Sequence, residues 1–238
     1  MRVAWYFFIL ALARGVFRLM GGLRPQQESL VPRSGPVLVA PTHFSHFDPP
    51  AVACATNRKL AFMAKEELFK VPVLGALIRS LGAFPVKRGD GDTEAFRRTI
   101  RLLEAGEAVL LFPEGTRGDA EHLGAINRGV TLLARRTGAQ VVPVAIVGTH
   151  RMFPKGAKKP KRGRIVVRFG EPFKATELPK GRAFEDELRD RLLALSAEAG
   201  LPLRIGPTSE RPSSDQKGLS SSEAASLDAA ETPSQPAD

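Results

Sequence analysis

The stretch PTHFSHFDPP places His43, Ser45, His46 and Asp48 within six residues. Imidazole titrates near neutrality and moves protons, and a carboxylate can fix which ring nitrogen carries one. On an ideal helix, the offset between His43 and Asp48 is about 140° around the axis, so only a turn brings them together. Folded that way, Asp48 would hold one nitrogen of His43 and leave the other outward as a general base. This is the histidine–aspartate half of a hydrolase triad without its nucleophile, which a substrate hydroxyl would have to supply. Two other readings compete. Asp48 can simply cap a helix in a polar strand–helix connection. Alternatively His43, His46 and Asp48 can ligate a metal, with His122 or His150 completing the shell. The H-x-x-H-x-D spacing is not that of binuclear metallohydrolases, and neither H-E-x-x-H nor a cysteine cluster occurs, so no metal is expected.

A second stretch, FPEGTRG, sets Glu114, Gly115, Thr116 and Arg117 where an apolar run stops. Glycine lets backbone approach a ligand, and the guanidinium fork of Arg117 suits phosphate. FPVKRGD offers another cationic group through Lys87 and Arg88. G-x-S-x-G is absent, which argues against a serine nucleophile on a sharp strand–helix turn.

These loops need elements to position them. GPVLVAPTH, KLAFMAK, AFPV, AVLLF, AQVVPVAIVGTH and GRIVVRF read as strands. Helices are expected after Asp48, across EELFKVPVLGALIRSLG with a break near Pro72, from a Thr93 cap to about Glu104, over INRGVTLLARRTG, and over AFEDELRDRLLALSAEAG. Strands alternating with helices predict an α/β fold with a mostly parallel central sheet flanked by helices. In such sheets the loops at strand ends converge, which would unite PTHFSHFD, FPVKRGD and FPEGTRG.

Composition narrows the partners. Residues 207–238 carry six acidic and two basic residues, so a chain of net charge +10 holds +14 in the remainder. That surplus favours anionic membrane or phosphorylated substrates. No nucleic-acid motif is visible, and one Trp and one Tyr leave little for base stacking beyond phenylalanine. The Ser-, Ala- and Pro-rich tail reads as disordered. Cys54 is the sole cysteine, so no internal disulfide forms, as suits a reducing compartment. Residues 3–13 are an apolar run of eleven, short of the roughly 20 needed for a helical span. A core helix and a cleaved leader ending at Ala13 are alternatives. Arg2, Arg14, Arg18 and Arg24, with no acidic residue among them, favour a helix lying in an anionic interface. The expected organisation is an interfacial helix at 1–24, a catalytic domain at 25–206 and a tail at 207–238.

Taken in order, HFSHFD, FPVKRGD, FPEGTRG and VVPVAIVGT resemble the four blocks of the glycerolipid acyltransferase family of the H-x4-D type. The likeness is greatest to its bacterial 1-acylglycerol-3-phosphate acyltransferases and extends over about residues 35–175. It implies a glycerol-3-phosphate-acyltransferase-like fold, with His43 as base and Asp48 orienting it. Arg88, Glu114, Gly115, Thr116 and Arg117 would bind the phosphorylated acceptor, Lys65 would assist, and Pro143 would be structural. It further implies transfer of an acyl group, from acyl-CoA or acyl carrier protein, to a lysophospholipid hydroxyl without metal or cofactor. Other lysophospholipids, glycerol-3-phosphate and lyso-aminolipids are alternative acceptors. The place of action would be the cytoplasmic face of the cell membrane. Thr42 stands where many relatives have asparagine.

Overall fold

The buried run Val37–Pro41 has no polar side, as expected of a strand covered on both faces. It is the centre of the fold in a computed structural model that describes residues 2–86, 92–154, 156–181 and 183–206. The expected tail, and Arg88 with its neighbours, lie outside the described residues.

The elements run α1 (Arg2–Leu19), β1 (Leu23–Gln26), β2 (Val37–Pro41), α2 (Asp48–Ala55), β3 (Leu60–Lys65), α3 (Leu74–Ser80), β4 (Ala83–Val86), α4 (Thr93–Glu104) and β5 (Ala108–Leu110). They continue as β6 (His122–Leu123), α5 (Arg128–Thr137), β7 (Gln140–Val147), α6 (Thr149–Met152), β8 (Ile165–Phe169), β9 (Phe173–Lys174), α7 (Ala183–Glu198) and β10 (Arg204–Ile205). The principal sheet has the order β1-β8-β7-β2-β5-β3-β4, with β9 also paired to β7. Its pairings are parallel except those of β7 with β8 and β9, so the mostly parallel α/β fold is what the chain adopts.

Alternate residues of β2 feed opposite layers. Val37 and Val39 pack with α1 and α2, whereas Leu38 and Ala40 pack with α4, α5 and α7. Helices on both faces explain why the central strands read as continuous apolar runs. The helix expected from Glu66 breaks at Pro72, giving a 3₁₀ turn over Glu66–Lys70 and then α3. The cap of α4 is Asp92, whose side chain accepts from Ala95 N at 2.9 Å, rather than Thr93. Gly138 closes α5 in the left-handed conformation, as expected.

The N-terminal segment departs most from expectation. Its helix stops at Leu19, and Leu23–Gln26 pairs with β8 as a sheet edge. Tyr6, Leu10 and Phe17 are buried against the sheet, on one helical stripe. Trp5, Phe8, Leu12, Val16 and Leu19 are exposed and fall within about 80° of arc on roughly the opposite side. Two apolar stripes thus explain a run that is apolar all round. Arg14 does not join an exposed basic face: its guanidinium donates to Cys54 O at 2.8 Å and Thr56 O at 3.2 Å, at the C-terminal end of α2. Among the described residues, no helix is long and apolar enough to cross a membrane.

Candidate active site

Because β2, β3, β4, β5 and β7 run parallel, their C-terminal ends share one edge of the sheet. His43 follows β2, Lys65 ends β3, Phe112 to Arg117 follow β5, and His150 follows β7. The expected convergence of strand-end loops is therefore built into the topology.

Within the histidine loop, the turn closes as its chemistry requires. His43 Nδ1 lies 2.9 Å from Asp48 Oδ2. A carboxylate only accepts, so the ring proton sits on Nδ1 and Nε2 is left as the basic nitrogen. The same Oδ2 accepts from the backbone amides of Phe44 at 2.6 Å and Ser45 at 2.7 Å. Asp48 is fully buried, and its Oδ1 finds no hydrogen-bond partner among the described residues. It opens α2, with Pro49 and Pro50 behind it, but makes no side-chain cap of that helix. Its carboxylate is spent on the loop and the imidazole instead. The ring of His43 stacks on Phe112, with centroids 3.8 Å apart. Ser45 Oγ donates to Phe153 O at 2.8 Å and Thr42 Oγ1 accepts from Ile146 N at 3.1 Å, tying the loop to the chain around β7.

The second loop behaves differently from expectation at Glu114. This side chain is buried and points into the protein: Oε1 accepts from His43 N at 3.2 Å and Oε2 from Gly124 N at 2.9 Å. It clamps the histidine loop to the segment after β5 rather than facing a ligand. Gly118 N donates to His43 O at 2.8 Å, closing the same junction. Burial raises the Glu114 carboxyl to about 7, against the lowering effect of the Gly124 and His43 amides. Gly115 has φ +67°, a left-handed turn that favours glycine for conformational reasons as well as for close approach. Gly115 and Thr116 are exposed, and Arg117 is half-buried with Nη1 enclosed and without a partner among the described residues. A buried guanidinium donor left unpaired is costly, and an anion placed there would satisfy it.

His46 is exposed at the mouth of the loop. Desolvation lowers its pKa first, followed by Arg117, His43 and Lys65, so the Arg117 and Lys65 cations lie within electrostatic range of this mouth. Among the described residues, no three histidine, cysteine, aspartate or glutamate side chains gather as a metal-holding group. His122 instead pairs with Asp119, and His150 lies under Phe44, its pKa lowered by burial and then by Arg151. Sequence reasoning assigned no role to Phe112 or Ser45, although both stood inside the quoted motifs. Phe153 lies far along the chain from Ser45 and carried no local signal.

A buried carboxylate orienting an imidazole, with cations alongside, is an arrangement that can carry base-assisted group transfer to a substrate hydroxyl. The family model described as Acyltransferase matches residues 23–147, just over half of the chain. The chain belongs to the acyltransferase family. It is 30% identical over 133 residues to a chloroplastic 1-acyl-sn-glycerol-3-phosphate acyltransferase of Arabidopsis thaliana, covering 55% of this chain and 37% of that protein. With a Streptococcus pneumoniae 1-acyl-sn-glycerol-3-phosphate acyltransferase it is 34% identical over 146 residues, 60% of this chain and 52% of the relative. The matched segment thus spans about half or less of these two relatives. The crystal structure of the 1-acyl-sn-glycerophosphate acyltransferase of Thermotoga maritima shares the fold, with a TM-score of 0.74 at 24% identity, over 87% of this chain and 83% of that one.

Proposed function

We propose that this chain transfers a fatty acyl group from an acyl thioester to the free hydroxyl of 1-acylglycerol-3-phosphate, forming phosphatidic acid. The observation that carries the reading is the 2.9 Å pairing of His43 with buried Asp48, which leaves Nε2 as the basic nitrogen beside the cations. His43 Nε2 takes the hydroxyl proton as the oxygen attacks the thioester carbonyl. The tetrahedral adduct collapses, the C–S bond breaks, and the departing sulfur takes the proton back from the imidazolium. A thioester is already activated, so no protein nucleophile, metal or cofactor is required. Arg117, with its unpartnered Nη1, receives the acceptor phosphate together with Thr116, Gly115 and Lys65. Arg88, outside the described residues, is proposed to assist them on the strength of the FPVKRGD motif alone. The donor is acyl-CoA or acyl carrier protein.

Such an acceptor resides in a leaflet, and the exposed stripe of Trp5, Phe8, Leu12, Val16 and Leu19 suits interfacial binding at the cytoplasmic face. Phe17 links that helix to the histidine loop through an edge-to-face contact with Phe47, centroids 5.9 Å apart. Helix deletion would be a poor test. Burial of Tyr6, Leu10 and Phe17 is worth about 1.5–3 kcal/mol each, so its loss would unfold the body. Phe8→Asp with Leu12→Asp changes only the exposed stripe and should release the protein from vesicles.

The direct test is thiol release from acyl-CoA, or from acyl carrier protein, in the presence of 1-acylglycerol-3-phosphate. Thiol and phosphatidic acid should appear in equal amounts, and His43→Ala should remove both. Thiol release without a new lipid product would make the protein a thioesterase, and no release with either donor would make it a non-catalytic binder.

A further inference from the structure

The loop Gly156–Arg164, between α6 and β8, was absorbed by neither the catalytic edge nor the acceptor site. Its sequence GAKKPKRGR exposes Lys158, Lys159, Lys161, Arg162 and Arg164. No acidic residue occurs from Thr149 to Gly170. Concentrated like charge of this kind repels itself and needs an anionic partner to be worth keeping together.

Its position is fixed by backbone contacts. Gly163 N donates to Met20 O at 2.8 Å, and Arg162 Nη2 donates to Leu19 O at 2.6 Å, so the loop abuts the end of α1. A Cβ on Gly21 would come within 2.4 Å of Gly163 O, so the two segments touch main chain to main chain. Lys161 N donates to Met152 O at 2.7 Å, and neighbouring Phe153 holds Ser45 of the histidine loop. The basic loop therefore stands where the exposed apolar stripe ends at Leu19 and the catalytic loop begins.

We infer that the 156–164 loop is an anionic-phospholipid docking element, which grips headgroups while the α1 stripe enters the acyl boundary beside it. This rests on the membrane reading given above and adds to it a second contact, of different chemistry. The apolar stripe decides between occupants. An acidic carrier protein would match the charge, but only a bilayer interface accounts for a basic rim continuous with a long exposed stripe of Trp, Phe, Leu and Val. The two contributions respond differently to conditions: salt screens the loop and leaves the stripe untouched.

The test compares three forms of the full chain: unaltered, Lys158→Ala/Lys159→Ala/Lys161→Ala, and Phe8→Asp/Leu12→Asp. Arg162 is kept because it bonds Leu19 O. Partition is measured on vesicles of phosphatidylcholine alone and of phosphatidylcholine with phosphatidylglycerol. On anionic vesicles the triple lysine variant should bind about a hundredfold more weakly, at roughly fivefold per basic residue near such a surface. On neutral vesicles it should match the unaltered protein, and high salt should erase the difference. Turnover of a short-chain, soluble acceptor should not change. If the triple variant binds anionic vesicles normally while Phe8→Asp/Leu12→Asp does not, the loop proposal is wrong and the membrane reading survives. If neither variant loses binding, both are wrong. A triple variant that binds vesicles normally but slows with acyl carrier protein as donor would make the loop a carrier-protein dock and overturn the lipid assignment.

Discussion

His43 and His122 each meet an aspartate through Nδ1, at 2.9 Å from Asp48 and 3.0 Å from Asp119, yet the two pairs have different surroundings. Asp119 is mostly exposed and lies three residues before its histidine, in a turn where it also accepts from Glu121 N and His122 N. That is a local arrangement, which the chain needs to make its own turn. Asp48 is fully buried, and its histidine is braced by Phe112 stacked on the ring face and through its backbone by Glu114 and Gly118. Only this pair lies at the shared edge of the parallel strands, with Arg117 and Lys65 near the same mouth. Pairing orients a histidine, whereas tertiary bracing and neighbouring cations set one of the two pairs apart as the candidate site.

The comparison breaks most sharply at His43. His43→Ala should lower acyl transfer by about 10²–10⁴ in kcat while the circular dichroism spectrum stays unchanged, because loss of a general base has that cost. Asp48→Asn should fall in the same range, since the imidazole loses its orienting anion. Retention of more than a tenth of the rate in either variant would demote the buried pair to the structural role of its exposed counterpart.

Next in size is Arg117→Ala. A charged hydrogen bond to phosphate is worth roughly 1.5–3 kcal/mol, so the KM for the phosphorylated acceptor should rise about 10- to 100-fold. The KM for the thioester should move little. Equal rises in both would show that the side chain supports the loop rather than the phosphate.

Glu114→Gln sharpens the bracing half of the comparison. The carboxyl is raised to about 7 by burial, so it keeps its proton in the folded chain while the unfolded chain loses it above about 4.5. Folding stability should therefore decline as pH rises from 4.5 through 7, by on the order of 3 kcal/mol from this group, and stay low above that. His46 and His150, with lowered pKa values, slope the other way, so the unaltered protein minus the variant is the informative curve. Urea melts across this range should show the decline in that difference. A flat difference would assign the titration to another group. The variant should also leave one of the two amides poorly paired, at about 1–3 kcal/mol.

Much of this was legible before any coordinates. Alternation of apolar runs with helical patterns specifies the parallel sheet, and a parallel sheet puts the loops after β2, β3 and β5 together. The spacing of His43 and Asp48 excludes a shared helix face and so demands the turn that forms. EGTR reads as uniformly polar and ligand-facing, and only the fold reveals that the Glu114 carboxylate reaches back to the His43 amide. The end of α1 at Leu19 and the strand at Leu23–Gln26 were hidden for another reason. LRPQ alternates weakly and contains a proline, which an edge strand tolerates, so its pairing with β8 is a tertiary fact. Likewise the two stripes of α1 cannot be told apart by hydropathy, because both are apolar and only packing decides which is covered.

The smallest expected effect belongs to the exposed pair, and it completes the contrast. His122→Ala should leave kcat and both KM values within twofold, since neither ring nor carboxylate lies among the strand-end cations. Asp119 is held at about 2, first by its hydrogen bond to His122 and then by the Glu121 amide. Its contribution to stability is therefore complete above about 3.8 and fades as pH falls toward 2. The group is mostly solvent-exposed, so screening limits that contribution to about 1 kcal/mol or less. Acid unfolding of Asp119→Asn should move only slightly, and activity near neutral pH should not change at all. A large activity loss in His122→Ala would mean that the segment from Asp119 to Gly124, which carries the Gly124 amide bound by Glu114, transmits its geometry to His43. The exposed pair would then be part of the bracing, and the distinction between the two histidines would narrow to which of them touches substrate.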